Sequence, residues 1–292
     1  MASRQLIMAK KPSPLWIILP PCADRDIWVA AIEAQAVQSG LKVGTTLQDK
    51  DASDLILTDD ADLARKHGAA PERIAVLLSE AGPLSDEYAS TEPNPSRHNS
   101  VTRASELTRR AMALPADRRF RSRDVIKGPA HLFPDFSLHV AKAATAPTSA
   151  RNRALLGAMD VYHQDHATWS PDLLDIYAKR LAQTQEARTF DVTGKPRFIA
   201  HGPYLTMPSG HWKAVLRLGF AASLCDKGYR ADWGGVSEYS KLEFRPEQEG
   251  LYEIEMDWLW EQPAPCEIRV MAMEGIFDGE MMIHDISISR IG

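Results

Sequence analysis

The segment Lys227-Gly-Tyr229-Arg230-Ala-Asp232-Trp233-Gly-Gly235 combines two aromatic rings, both signs of charge and flanking glycines. Such residues suit a saccharide: rings lie against its C–H faces, while charged groups bond its hydroxyls. Sites of this kind are shallow and are carried on loops. Tyr229 and Trp233 are therefore the expected stacking residues, with Arg230 and Asp232 as hydroxyl partners. Gly234 and Gly235 would let the backbone bend and a ligand come close. The competing structural role is a loop whose Trp233 folds back as a cap on the domain beneath.

Other constellations are weaker. His163, Asp165 and His166 could begin a metal site. The His-x-x-His spacing fits one helical turn, but Asp165 would point elsewhere, so a polar helix end is the plainer role. Asp59 and Asp60 close an apolar run, as a phospho-acceptor would. The magnesium such chemistry needs wants several oxygen ligands, whereas the first apolar run ends in Pro20-Pro21-Cys22. Asp24 and Asp26 suit helix capping. Cys22, before a helix, is either a stabilised thiolate or a buried, inert thiol. Cys22, Cys225 and Cys266 are isolated, with no Cys-x-x-Cys pair, which points to reduced thiols in the cytoplasm. No Gly-x-Gly-x-x-Gly, P-loop, Gly-x-Ser-x-Gly or His-Glu-x-x-His occurs. No catalytic residue, metal or cofactor is expected.

The elements that must hold these residues change character along the chain. Apolar runs at Leu15–Leu19, Lys42–Leu47, Leu55–Leu57 and Ile74–Leu78 read as strands. Between them, Ile27, Ala30, Ala31, Ala34 and Val37 recur at helical spacing and Gly40 closes the helix; a shorter helix covers Asp62–His67. Strands alternating with helices predict a small parallel sheet. Residues 81–100 read as a loop, and Val101–Leu114 as a helix. Residues 151–187 read as two helices, the second opened by Ser170 as N-cap and Pro171 in its first turn. Beyond residue 190 the period becomes two. Tyr252, Ile254, Met256, Trp258 and Trp260 share one face of a strand, with Glu253, Glu255 and Asp257 on the other. Trp212–Phe220, Tyr239–Phe244, Glu267–Met273 and a last strand with Met282, His284, Ile286 and Ile288 inward follow the same pattern. The expected fold is a small parallel-sheet α/β N-terminal unit, a helical middle segment and a C-terminal antiparallel β-sandwich of jelly-roll type. Boundaries fall at 1–115, 116–187 and 188–292.

The chain has 292 residues, 44% apolar and 25% charged, with 34 basic against 39 acidic side chains. That size buries a large core without disulfides. The acidic balance excludes a dedicated nucleic-acid binder, although residues 117–123 form a short basic patch. No apolar run reaches the ~20 residues of a membrane span. Leu15–Leu19 is too short for a signal h-region.

One resemblance rests on named residues: Phe190-Asp-Val-Thr-Gly-Lys-Pro-Arg197, Gly202-Pro-Tyr204, Pro208-Ser-Gly-His-Trp212, Phe244-Arg-Pro246, Gly250-Leu-Tyr252, Glu267-Ile-Arg-Val270 and Gly279-Glu280. This third of the chain resembles the small jelly-roll domains, similar to carbohydrate-binding modules, found beside bacterial surface-polysaccharide and glycosyltransferase proteins. The resemblance implies the fold, through turn glycines and core aromatics, and implies no catalytic residue. It favours a non-catalytic accessory protein that binds glycan, or a polysaccharide-synthesis protein, through the sandwich. Two alternatives stand beside it. One is a glycosyltransferase-like enzyme with Pro21, Cys22, Asp59, Asp60 and Ser79 around a cleft at the strands' carboxyl ends. The other is an assembly subunit that uses the sandwich to form a homo-oligomer.

Overall fold

The computed structural model of the protein describes residues 13–45, 52–83, 97–115, 118–140, 149–184, 187–235 and 237–292. Its chain forms two compact units: residues 1–19, 26–78 and 114–143, and residues 20–25, 79–113 and 144–292.

The first unit is built on five parallel strands: β1 (Leu15–Ile18), β2 (Val43–Gly44), β3 (Leu55–Thr58), β4 (Ile74–Leu78) and β5 (Arg119–Arg121), in the order β2-β3-β1-β4-β5. β1 and β3 are apolar on both faces because a central parallel strand is covered on both sides; Ile17, Ile18, Leu55 and Leu57 are buried. Helix α1 (Arg25–Gln38) turns Trp28, Ile32 and Ala36, four residues apart, into the core. It ends at Gly40, whose φ of 69° is left-handed backbone that favours glycine. Helix α2 (Ala61–Lys66) is capped by Asp60, which accepts from the Asp62 N–H at 2.9 Å. The fifth strand is cut from the basic patch. Arg118 and Arg119 there donate to the carbonyls of Leu132 and Leu114, so these two side chains hold the unit's own backbone. The expected second strand is confined to Val43–Gly44; its residues 46 and 47 lie outside the described residues, as does most of the loop at 81–100.

In the second unit, α3 (Arg97–Met112) precedes a short helix of the first unit, α4 (Ser122–Ile126), and the hairpin β6 (Ala130–Phe133) and β7 (Phe136–Leu138). The second unit then resumes with α5 (Ala150–Ala158), capped by Ser149. The sandwich follows. Its larger sheet holds β8 (His166–Trp169), β10 (Lys179–Gln183), β11 (Ala187–Asp191), β13 (Gly210–Phe220), β16 (Gly250–Trp260), β18 (Glu280–His284) and β19 (Ile286–Arg290). Its five-stranded partner runs β15 (Tyr239–Phe244), β14 (Tyr229–Gly235), β17 (Ala264–Ala272), β12 (Arg197–Met207) and β9 (Asp175–Ile176). All pairings in the two sheets are antiparallel. The two-residue period of β16 sends Ile254, Met256 and Trp260 into the core, with Tyr252 and Trp258 half-buried against it. Glu253, Glu255 and Asp257 face outward and pair with Arg217, Lys213 and His211.

Two expectations are corrected. Residues 171–183 form no second helix. Ser170 does cap and Pro171 does open a turn, but it is a single 3-10 turn over Pro171–Leu173, and the chain goes on as β9 and β10. Before it, β8 alternates Ala167 and Trp169 inward with His166 and Thr168 outward. The last strand is also split: Met281 and Ile283 are buried, Met282 is exposed, and Asp285 shifts the register so that Ile286 and Ile288 return to the core. The shift moves the partner from β11 to β8. Trp169, Leu173 and Leu174 therefore share one core with the strands beyond residue 188.

Candidate functional site

Residues 229–235 are a strand rather than a loop. Alternation along β14 turns Tyr229, Ala231 and Trp233 into the core and Arg230 and Asp232 outward. Tyr229 and Trp233 have no exposed surface. The Trp233 ring meets Trp169 and Trp260 edge to face, at centroid distances of 5.8 and 5.0 Å. Neither ring can stack on a ligand, which corrects the sequence expectation for both. Gly234 serves packing: a Cβ there would lie 2.5 Å from the Glu238 carbonyl oxygen, so β15 could not pass so close to any other residue.

Arg230 and Asp232 do belong to a constellation, built on the outward face of the five-stranded sheet. β17 supplies Glu267 and Arg269, one residue out of phase with its core residues Cys266, Ile268 and Val270. Register places Asp232 opposite Arg269 and His201 of β12 opposite the same Arg269. The Asp232 carboxylate is fully buried between two guanidinium groups. Arg269 Nε donates at 2.8 Å, and Arg230 Nε lies 3.0 Å away. The Arg269 guanidinium sits 3.6 Å over the Tyr239 ring and 5.5 Å from that of Phe198, a cation–π arrangement.

A chain of hydrogen bonds runs beside this group. Glu267 accepts from Tyr204 at 2.7 Å and from Tyr239. Because the carboxylate only accepts, the single Tyr204 proton is committed to it, and Tyr204 must accept from His201 Nδ1 at 2.9 Å. In a neutral ring His201 Nε2 then accepts from Tyr177, 2.7 Å away. The Tyr177 ring stacks on His201 at 5.1 Å and is 60% exposed, the most open aromatic of this group. Tyr204 holds a φ of 65°, uncommon for a residue with a Cβ; such backbone persists where surrounding contacts hold it, and clusters at functional sites. Helix α3 provides those contacts: Thr102 donates to the Tyr204 carbonyl at 2.8 Å, and Ser105 Oγ accepts from the Thr206 N–H at 2.9 Å.

Burial, the hydrogen bond to Glu267 and repulsion by its charge push both phenols up, Tyr204 strongly and Tyr239 to about 12. Each stays a protonated donor throughout the physiological range. The raised value favours the neutral phenol in the folded state. Its contribution to stability is complete below the ordinary phenol range and is lost as pH rises through about 12. Ultraviolet titration of the native protein should show an ionisation near pH 12 that Tyr239→Phe removes; a step near pH 10 in its place would break the assigned contact.

The histidine candidate does not assemble into a metal site. His163 lies 3.4 Å from Asp160, Asp165 pairs with Arg290, and His166 begins β8. Among the described residues no group of three or more His, Cys, Asp or Glu side chains could hold a metal ion. Cys22 is buried, and burial with the nearby Asp24 charge pushes its thiol well up, the opposite of an activated thiolate. Ser79 donates to Asp24 at 2.6 Å. Pro21 and Cys22, Asp59 and Asp60, and Ser79 follow the carboxyl ends of the adjacent parallel strands β1, β3 and β4, with Asp60 engaged as a cap.

No protein-family model and no curated protein matches the chain. Solved structures similar to part of the chain include carbohydrate-binding modules, an arabinofuranosidase and a carbohydrate esterase. One is TmCBM61, solved with β-1,4-galactotriose: 13% identity, TM-score 0.30, covering 44% of this chain and 83% of that one. A second is the C-terminal CBM6 of LamC from Zobellia galactanivorans: 13% identity, TM-score 0.31, covering 43% and 99%. A third is a module of Cellvibrio mixtus lichenase 5A in complex with cellotriose: 10% identity, TM-score 0.28, covering 43% and 98%. Sequence reasoning missed Tyr177, His201, Tyr204, Tyr239 and Glu267 as a group. The outward alternation of Glu267 and Arg269 between Cys266, Ile268 and Val270 was the legible signal.

Proposed function

We propose that this protein is a non-catalytic glycan-binding accessory protein of bacterial surface-polysaccharide production, and that the outward face of the five-stranded sheet is its binding surface. The observation that carries the reading is the composition of that face. Open rings of Tyr177 and Phe198 flank fixed acceptors on Glu267 and fixed donors on Arg230 and Arg269. Sugars need that pairing of flat apolar area with polar groups already held in place, since ordering them on binding would cost affinity. Both carboxylates are engaged by neighbouring donors, which suits recognition better than proton transfer. The biosynthetic role draws on the sequence resemblance. A cytoplasmic setting is consistent with three free cysteines.

The test is calorimetry of the full chain against neutral oligosaccharides and sugar nucleotides. Oligosaccharide binding without sugar-nucleotide binding is expected. Tyr177→Ala should weaken it about tenfold, the ~1.4 kcal/mol of a lost stacking face. Because the ring is largely exposed, the melting temperature should move by less than about 2 °C. Undiminished affinity in that variant, or binding of a sugar nucleotide alone, would refute the reading.

A further inference from the structure

Two clefts, of about 370 and 490 Å³, share Ala150 and Asp172 in their walls, and the second reaches the β9 edge of this sheet through Asp175 and Ile176. Arg153 and Arg188 line the first, and Arg151, Arg180 and Asp175 the second. Four guanidinium groups thus face two carboxylates among the described lining residues. Arg188, its side chain only 5% exposed, is held by Asp172 at 2.6 Å and by the Thr184 carbonyl at 2.6 Å. Asp175 lies 3.4 Å from Arg151. Asp172 is thus shared by Arg188 and Arg180, and the described lining counts four guanidinium groups against two carboxylates. The outermost of these arginines are Arg153, which is exposed, and Arg180, whose side chain is 49% exposed and lies 3.8 Å from Asp172.

The second cleft continues the proposed binding face and shares Ala150 and Asp172 with the first. Asp175 pairs in register with His201 and Ile176 with Ala200, and Tyr177 is the next residue. A saccharide stacked on Tyr177 would have its next unit over the arginine-lined walls. Guanidinium groups match planar anions through paired N–H donors.

We propose that these clefts bind the anionic substituent, a carboxylate or sulfate ester, of an acidic glycan. The proposal rests on the sheet-face reading for the path of the sugar chain, while the anion site itself rests on the arginines.

The experiment compares hexagalacturonate, its uncharged methyl ester and a sulfated galactose oligosaccharide by calorimetry on the full chain. The wild type should bind at least one charged ligand about tenfold or more tighter than the ester; which one does so distinguishes carboxylate from sulfate. Arg153→Gln with Arg180→Gln should abolish that preference and leave ester affinity unchanged, and both sites are open enough for the variant to keep its fold. Equal affinity for charged and neutral ligands, a preference that survives in the double variant, or binding of no glycan overturns the proposal. Ester binding that depends on Tyr177 without charge preference leaves the sheet-face reading standing alone. An arginine-dependent preference that ignores Tyr177→Ala keeps the anion site and removes the sheet-face reading.

Discussion

Trp233→Ala is expected to cost about 3–5 kcal/mol, the range for a buried aromatic truncated to alanine. The indole is fully buried and makes edge-to-face contacts with Trp169 and Trp260, which come from strands of the opposite sheet. Its removal opens a cavity where the two sheets meet and takes two aromatic pairings with it. Domains of this size hold only about 5–15 kcal/mol in total, so a substantial part of the stability would go. Urea unfolding would show it as a lowered midpoint with little change in slope. A loss within about 0.5 kcal/mol, the size for a surface residue, would place the ring on the outer face and restore it as a ligand contact. Because Trp169 lies in β8, Trp169→Ala should produce a loss of the same order, and the two losses should not add.

Trp233 also shows where sequence reasoning stopped. Tyr229, Ala231 and Trp233 carry a two-residue period, but only three positions long and bounded by glycines, and glycines serve a strand under close backbone approach as readily as a loop. Gly234 is of that kind, and the reason lies in β15, which the local sequence does not specify. The eleven-residue strand β16 was legible because its period repeats five times and its charged face has no other place to go. Strands β1, β3 and β4 were legible because strands apolar on both faces are short, uniform runs between turn residues. The failure at 171–183 has a different cause. Leu173, Leu174 and Leu181 fit a helical stripe, yet Leu173 and Leu174 are buried by sheet packing while Leu181 is 42% exposed on β10. Tertiary pairing with β11 decides that segment, and propensity is a weak prior against it. The polar group on that sheet face was half legible. Arg230 and Asp232 stand out in their own segment, but Tyr177, His201 and Glu267 join them only through antiparallel register across four strands.

Asp232→Asn should be the most damaging conservative change on that face, with an expected loss of about 2–4 kcal/mol. The substitution keeps the volume and removes one charge, so it isolates the electrostatic part. It leaves two guanidinium groups without the carboxylate they share. Breaking a buried pair costs about 3–5 kcal/mol because the remaining charge stays desolvated. Arg230 and Arg269 are 21% and 18% exposed, so water recovers part of that cost. Arg269 also keeps its place over Tyr239, whereas Arg230 keeps, among the described residues, Met271 Sδ at 3.0 Å. Arg230 should therefore turn outward in the variant, and glycan affinity should fall more than Tyr177→Ala alone makes it fall. A second change separates charge from shape. In Asp232→Asn with Arg230→Gln, one stranded cation is gone, and urea unfolding should return at least about 1 kcal/mol of the loss. If Asp232→Asn were neutral and the double variant no better, the three residues would be three independent solvated charges. A face assembled from such charges would hold no donor in a fixed direction, and the structural basis for sugar recognition there would be gone.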